Sequence, residues 1–177
     1  MNKIIFTPLF LMIFMLSTPA SAKFYSYKVV CSTQYDKDYC ESYSGKPIKG
    51  GVVVRNLNGT LASKGNFNNG YRSGRSRFYN ERGVLERVSS YSRGIKNGRE
   101  RWYYPNGKLW LTAKYRKGEL VGDVKLNNLE GKKNGQLYYY KGKLKKGYCI
   151  DANRKKHNLT AEEIAQQPYN ALVFCEE

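Results

Sequence analysis

The sequence predicts a mainly β protein: an elongated, single-layer antiparallel sheet of consecutive β-hairpins, with a short C-terminal helix as a cap. Three observations carry this. Glycine recurs every 24 residues in three registers: Gly50, Gly74, Gly98 and Gly122; Gly59, Gly83, Gly107 and Gly131; Gly70, Gly94, Gly118 and Gly142. A fixed period of this size marks a repeat architecture. The segments between these glycines are short and rich in aromatic and β-branched residues, as strands are. Finally, Thr160-Ala161-Glu162-Glu163 reads as a capping box, the N-terminal signature of a helix.

Residues 1–22 read as a secretory signal peptide. Lys3 supplies the positive start, residues 4–16 the apolar stretch, and Ala20-Ser21-Ala22 a small-residue cleavage site. The apolar run is short for a membrane span of about 20 residues. The mature chain is therefore expected in a periplasm or outside the cell. Residues 23–49 form an N-terminal cap, in which Tyr25, Tyr27, Val29 and Val30 make a strand covering the open edge of the first hairpin. Residues 50–148 hold the repeats. Residues 149–177 form a C-terminal cap, with a helix from Thr160 to about Gln167, stopped by Pro168. Ala171-Leu172-Val173-Phe174 then reads as an apolar strand or tail on the last repeat.

Cys31, Cys40, Cys149 and Cys175 all follow the leader, and an even number in an oxidising compartment implies two disulfides. Four cysteines allow three pairings. The preferred one is Cys31–Cys40 with Cys149–Cys175, because each pair flanks the repeats on one side. The spacings do not fit a zinc site, and His157 has no evident partner, so no metal is expected.

Within the repeats, Gly74-Arg75-Ser76-Arg77-Phe78-Tyr79 matches Gly98-Arg99-Glu100-Arg101-Trp102-Tyr103. Each unit is an aromatic run, a turn such as Pro105-Asn106-Gly107, and a second extended run. The glycine-rich stretches are expected at hairpin turns. Residues 24 apart form columns across the sheet: Val54, Phe78, Trp102 and Leu126; Leu61, Leu85 and Leu109; Phe67, Tyr91 and Tyr115. A lone hairpin cannot bury its apolar face, so these columns are the expected core. Strand alternation then turns Arg75, Arg77, Tyr79, Arg99, Arg101 and Tyr103 to the opposite face, followed by Lys125 one unit on. This Arg/Tyr ladder is the candidate binding site, since guanidinium groups pair bidentately with carboxylates and phosphates. The run from Asn134 to Leu144 echoes that from Asn97 to Leu109 but is two residues shorter, which suggests an irregular closing unit.

Charge concentrates in the same region. Residues 50–148 carry 22 basic and six acidic residues, a net +16, whereas residues 149–177 carry three basic and five acidic. A field of this kind favours anionic partners. An acidic protein, anionic membrane or polysaccharide headgroups, and nucleic acid all fit the charge, but nucleic acid does not fit export. No catalytic constellation emerges: there is no Cys–His pair, His157 lies among Arg154, Lys155 and Lys156, and no glycine-rich loop sits at a strand-to-helix junction. Glu81, Glu86 and Glu100 are expected on a polar face beside arginines. The reading is a non-enzyme with no cofactor.

The pattern Asn-Gly-x-x-x-x-Tyr-Tyr-x-Asn-Gly-x-Leu, seen over residues 97–109, and Tyr-x-x-Gly-x-x-x-Gly, seen over residues 115–122, resembles MORN repeats, in particular the bacterial variant form. The resemblance covers about residues 50–148. It implies a twisted antiparallel sheet of consecutive MORN-type hairpins. Relatives of this variant are commonly labelled antitoxin-like, and some resemble immunity proteins against secreted toxins. The expected function is therefore an exported, basic binding protein for an acidic macromolecule, most specifically a periplasmic immunity or antitoxin-type protein that neutralises a toxin. The alternative is an envelope or membrane-surface protein that binds anionic lipid or polysaccharide headgroups.

Overall fold

All twelve glycines of the three series adopt positive φ, between 70° and 114°, but they do so for different reasons. The computed structural model describes residues 13–17, 25–34, 37–42, 44–56, 58–151 and 153–165, with side chains from residue 37 onward. The strands are β1 (Ile13–Ser17), β2 (Tyr25–Gln34), β3 (Lys37–Ser42), β4 (Gly50–Arg55), β5 (Leu61–Asn68), β6 (Tyr71–Tyr79) and β7 (Leu85–Ser92). They continue with β8 (Ile95–Tyr103), β9 (Leu109–Arg116), β10 (Glu119–Leu120), β11 (Gly122–Asn127), β12 (Lys133–Tyr140), β13 (Lys143–Ile150) and β14 (Lys156–Asn158), followed by α1 (Ala161–Ala165). From β4 onward the chain is one open antiparallel sheet of consecutive hairpins.

Two kinds of turn alternate. At Asn69-Gly70, Arg93-Gly94, Lys117-Gly118 and Lys141-Gly142 both central residues have positive φ, the condition for a two-residue type I′ hairpin. The second glycine series closes longer turns, in which Gly83 N–H donates to the Asn80 carbonyl at 2.8 Å and Gly107 N–H to that of Tyr104 at 2.9 Å. The Asn80 side chain braces its turn by accepting from the amides of Arg82 and Val84, each at 3.0 Å. Turns of the same kind run from Ser42 to Lys46, closed by Gly45, and from Asp151 to Lys155, with Arg154 at φ 62° in the glycine position. The first glycine series makes no turns. Gly98 sits inside β8 at a bulge, where the β7–β8 register jumps between Ser89↔Glu100 and Tyr91↔Lys96. Gly74 occupies the matching bulge on the β5 side of β6.

The expected shortening of the last unit is a misalignment. Asn128, Gly131 and Gly142 keep the 24-residue spacing from Tyr104, Gly107 and Gly118. Asn134 to Tyr140 lies in β12, the arm that leads to a type I′ turn, and so corresponds to β9 rather than to β8.

A further bulge recurs with the period. The residues opposite Val54, Phe78, Trp102 and Leu126 are followed by a one-residue shift, so that Ala62, Glu86, Trp110 and Asn134 are extra residues on β5, β7, β9 and β12. An extra residue reverses the facing of everything beyond it. Leu85 pairs with Tyr79 and Arg87 with Phe78, so these two residues of like parity lie on opposite faces. The Leu61, Leu85, Leu109 column, expected in the core, is consequently half-buried on the ladder face.

The core face holds two apolar clusters. Leu111, Ala113, Val124, Leu126, Leu137 and Cys149 pack at the C-terminal end, and Cys40, Ile48, Val52 and Phe67 at the N-terminal end. Between them three of the buried residues are polar: Ser76, Ser89 and Glu100. These occupy one row across the sheet, with Ser76↔Ser89, Ser89↔Glu100 and Glu100↔Ala113 in register. Ser76, Glu100 and Val124 are 24 residues apart, so one column changes from polar to apolar along the array. The expectation that Glu100 lies on the polar face beside the ladder arginines is corrected: it is 2% exposed on the other face.

The ends depart from expectation in two respects. β2 spans the predicted strand, but the strand lying along β4 is β1, from within the segment read as a leader. β1 pairs with β2 on its other side, and β3 meets β6 through Tyr39↔Tyr71. Cys31 and Cys40 face each other across β2 and β3, and Cys40 and Cys149 are each in a disulfide. The capping box forms as expected: Thr160 N–H donates to Glu163 Oε2 at 2.6 Å, and Glu163 N–H to Thr160 Oγ1 at 3.2 Å. His157 does have a partner, Asp151, with Nε2 and Oδ2 2.8 Å apart. The expected helix end at Gln167 and the 171–174 strand, like Cys175, lie outside the described residues.

Candidate binding site: the basic face of the repeat sheet

Alternation along β6 and β8 places Arg75, Arg77 and Tyr79, and one unit later Arg99, Arg101 and Tyr103, opposite the core face. Cross-strand register supplies the residues between them. Arg75 pairs with Ser90, Arg77 with Val88, Arg99 with Lys114, and Arg101 with Thr112 and Val88. Lys125 on β11 pairs with Thr112 from the other side. Most of these side chains line an open cavity of about 760 Å³.

Four of the expected residues, Arg75, Arg99, Arg101 and Lys125, line this cavity together with Lys114. Arg77, Tyr79 and Tyr103 lie on the same face but outside the lining. Lys114 escaped the sequence reading, because it belongs to the return strand and not to the 24-residue column of the ladder. Its signal was its pairing with Arg99, which follows once the Lys117-Gly118 turn is placed. The floor is supplied by Val88, 8% exposed, and by Leu109 from the reversed column. One acidic residue, Asp123, completes the rim. None of the five cations forms an ion pair with a described residue. Their charge is thus directed to solvent, and the cavity can accept carboxylate, phosphate or sulfate groups.

The cations of the core face behave differently. The Arg72 guanidinium lies 4.8 Å from the Phe67 ring centre and 5.5 Å from that of Tyr91, and its Nε donates to Asp38 at 2.9 Å. Arg87 lies 4.2 Å from Phe78 and 4.9 Å from Trp102. Lys96 stacks 4.6 Å from Tyr115 and pairs with Glu100 at 2.8 Å. Glu100 also accepts from Ser89 Oγ at 2.5 Å and Trp102 Nε1 at 3.0 Å. Burial alone would raise the Glu100 pKa. The hydrogen bonds from Lys96, Ser89 and Trp102, with the Lys96 charge, outweigh that and hold it below its ordinary 4.5. The Tyr115 hydroxyl is pushed well up, first by burial and then by the Glu100 charge. These groups satisfy one another and serve packing.

Among the described residues no three His, Cys, Asp or Glu side chains are grouped to hold a metal ion. No protein-family model and no curated protein matches the chain.

Proposed function

We propose that the protein is an exported binding module that holds an acidic macromolecule on the ladder face of its repeat sheet. The observation that carries this reading is the convergence of Arg75, Arg99, Arg101, Lys114 and Lys125 on one cavity, none of them in an ion pair with a described residue. Folded chains ordinarily pair or disperse such charge, and a concentrated field steers anionic partners at an enhanced rate. The leader-like residues 1–22 and the disulfides at Cys40 and Cys149 support function in an oxidising compartment outside the cytoplasm. With the resemblance to bacterial MORN-variant repeats, the most specific form is an immunity-type protein that occludes a toxin in the periplasm.

The test is binding and protection together. A variant with Arg75, Arg99, Arg101 and Lys125 all replaced by serine keeps the wild-type melting temperature but loses affinity for the partner. Toxins encoded beside this chain are expressed in the periplasm with wild type or with this variant, and protection by wild type alone is expected. If the variant protects equally, the ladder face is not the site. Salt-sensitive binding to anionic but not neutral vesicles, without protection, favours a membrane-surface role instead.

A further inference from the structure

A second cavity, of about 400 Å³, adjoins the first on the ladder face and is lined by Tyr138, Lys146, Tyr148 and Lys156. Here the ammonium groups lie over tyrosine rings, Lys146 at 5.5 Å from Tyr138 and Lys156 at 4.2 Å from Tyr148. Asp123 lines both cavities. It stands where the column Arg75, Arg99, Asp123 reverses sign. It is exposed, and although Lys114 and Lys125 share its cavity, it makes no ion pair with any described residue. Its carboxylate is an uncommitted negative charge between two cationic subsites.

We infer that this face reads a pattern, acidic–basic–acidic, and therefore recognises a protein segment rather than a uniform polyanion. The inference rests on the binding role proposed above and adds the chemistry of the partner. A nucleic acid, an anionic membrane or a sulfated glycan presents negative charge throughout and is repelled at Asp123. A protein segment with a lysine or arginine between two acidic stretches satisfies all three positions. The spacing suits an extended chain laid across the strands. β8, which carries Arg99 and Arg101, and β13, which carries Lys146, are each two strands from β11 in the sheet. Each is therefore about 10 Å from Asp123, the length of roughly three extended residues.

The mature chain is titrated at low salt with two peptides, Glu₃-Lys-Glu₃ and Glu₃-Ala-Glu₃, and with heparin as the uniform polyanion. The lysine peptide carries less net negative charge, so simple attraction ranks it second. The pattern reading ranks it first by about threefold, the yield of one exposed ion pair. In Asp123→Asn the order reverses and heparin affinity rises, with the melting temperature unchanged. A wild type that prefers the alanine peptide, shows no preference or binds neither overturns the inference. So does an Asp123→Asn variant that leaves every affinity unaltered. Loss of heparin binding in the four-residue serine variant, with no lysine preference in wild type, sinks the pattern and leaves the basic-surface reading standing.

Discussion

Replacing Glu100 by alanine tests whether the polar middle of the core face holds the two apolar clusters together. Three donors converge on this carboxylate, and each fares differently when it is removed. Ser89 Oγ is fully buried and loses its acceptor, at a cost of about 1–3 kcal/mol. Trp102 Nε1 loses a charge-assisted bond. The Lys96 side chain is 27% exposed, so its ammonium recovers water and its share is discounted. The total is about 3 kcal/mol, at the low end for breaking a buried pair. Glu100→Gln keeps an acceptor for one donor and costs about half as much. Urea unfolding of both variants at pH 7, with disulfides intact, measures these values. The sign of the pH dependence follows from the depressed pKa. The stabilisation is complete above the ordinary carboxyl value of 4.5 and is lost as pH falls through the folded-state value. The gap between wild type and Glu100→Gln is therefore widest near neutrality and narrows in acid. A Glu100→Ala variant within 1 kcal/mol of wild type, or a gap that widens in acid, refutes the reasoning.

Three other outcomes are expected. Lys117→Gly relieves the left-handed conformation at φ 50° and, since the added chain freedom offsets part of the gain, raises stability by no more than about 1 kcal/mol in urea unfolding. Non-reducing peptide mapping of the exported protein yields Cys31–Cys40 and Cys149–Cys175 fragments, and Cys40→Ser lowers stability by about 2–3 kcal/mol, as for a short closed loop. Arg87→Ser and Arg99→Ser remove the same charge, but the first loses two ring stacks and about 1–2 kcal/mol, whereas the second leaves the melting temperature unchanged and weakens binding.

The glycine period, the hairpin turns at glycines, the helix cap and the exposure of Arg75, Arg99 and Lys125 were legible in the sequence, because each depends on local conformation or on simple alternation. The core face was legible only in part. Phe67 and Tyr91 are buried as the columns suggested, at 4% and 8% exposure, and so is Leu126 at 2%. The placement of Leu85, Arg87 and Leu109 was not legible, because it turns on the bulges at Glu86 and Trp110. Nothing in the alternation pattern announces a single extra residue, yet each one exchanges the two faces for the rest of its strand. Arg72 was missed for another reason. It shares the parity of Ser76 and Phe78, so its facing could be read, but an arginine on a core face becomes plausible only when rings and Asp38 are seen around it.

The division of cations between the faces changes what the net charge means. Arg72, Arg87 and Lys96 count toward the excess of the repeats but are spent on aromatic stacks and on two carboxylates, and contribute little to the field outside. The cations that do project stand on a face where, among the described residues of the repeats, Val88 is the buried apolar side chain. That face contributes little apolar burial to hold the fold, so its residues are free to be unpaired without destabilising the sheet. The opposite face must satisfy every charge it buries. A repeat sheet with one face committed to packing can vary the other residue by residue at the 24-residue period, and the step from Arg99 to Asp123 is such a variation. Specificity on this scaffold therefore resides in where the ladder breaks its own repeat, not in the total charge it carries.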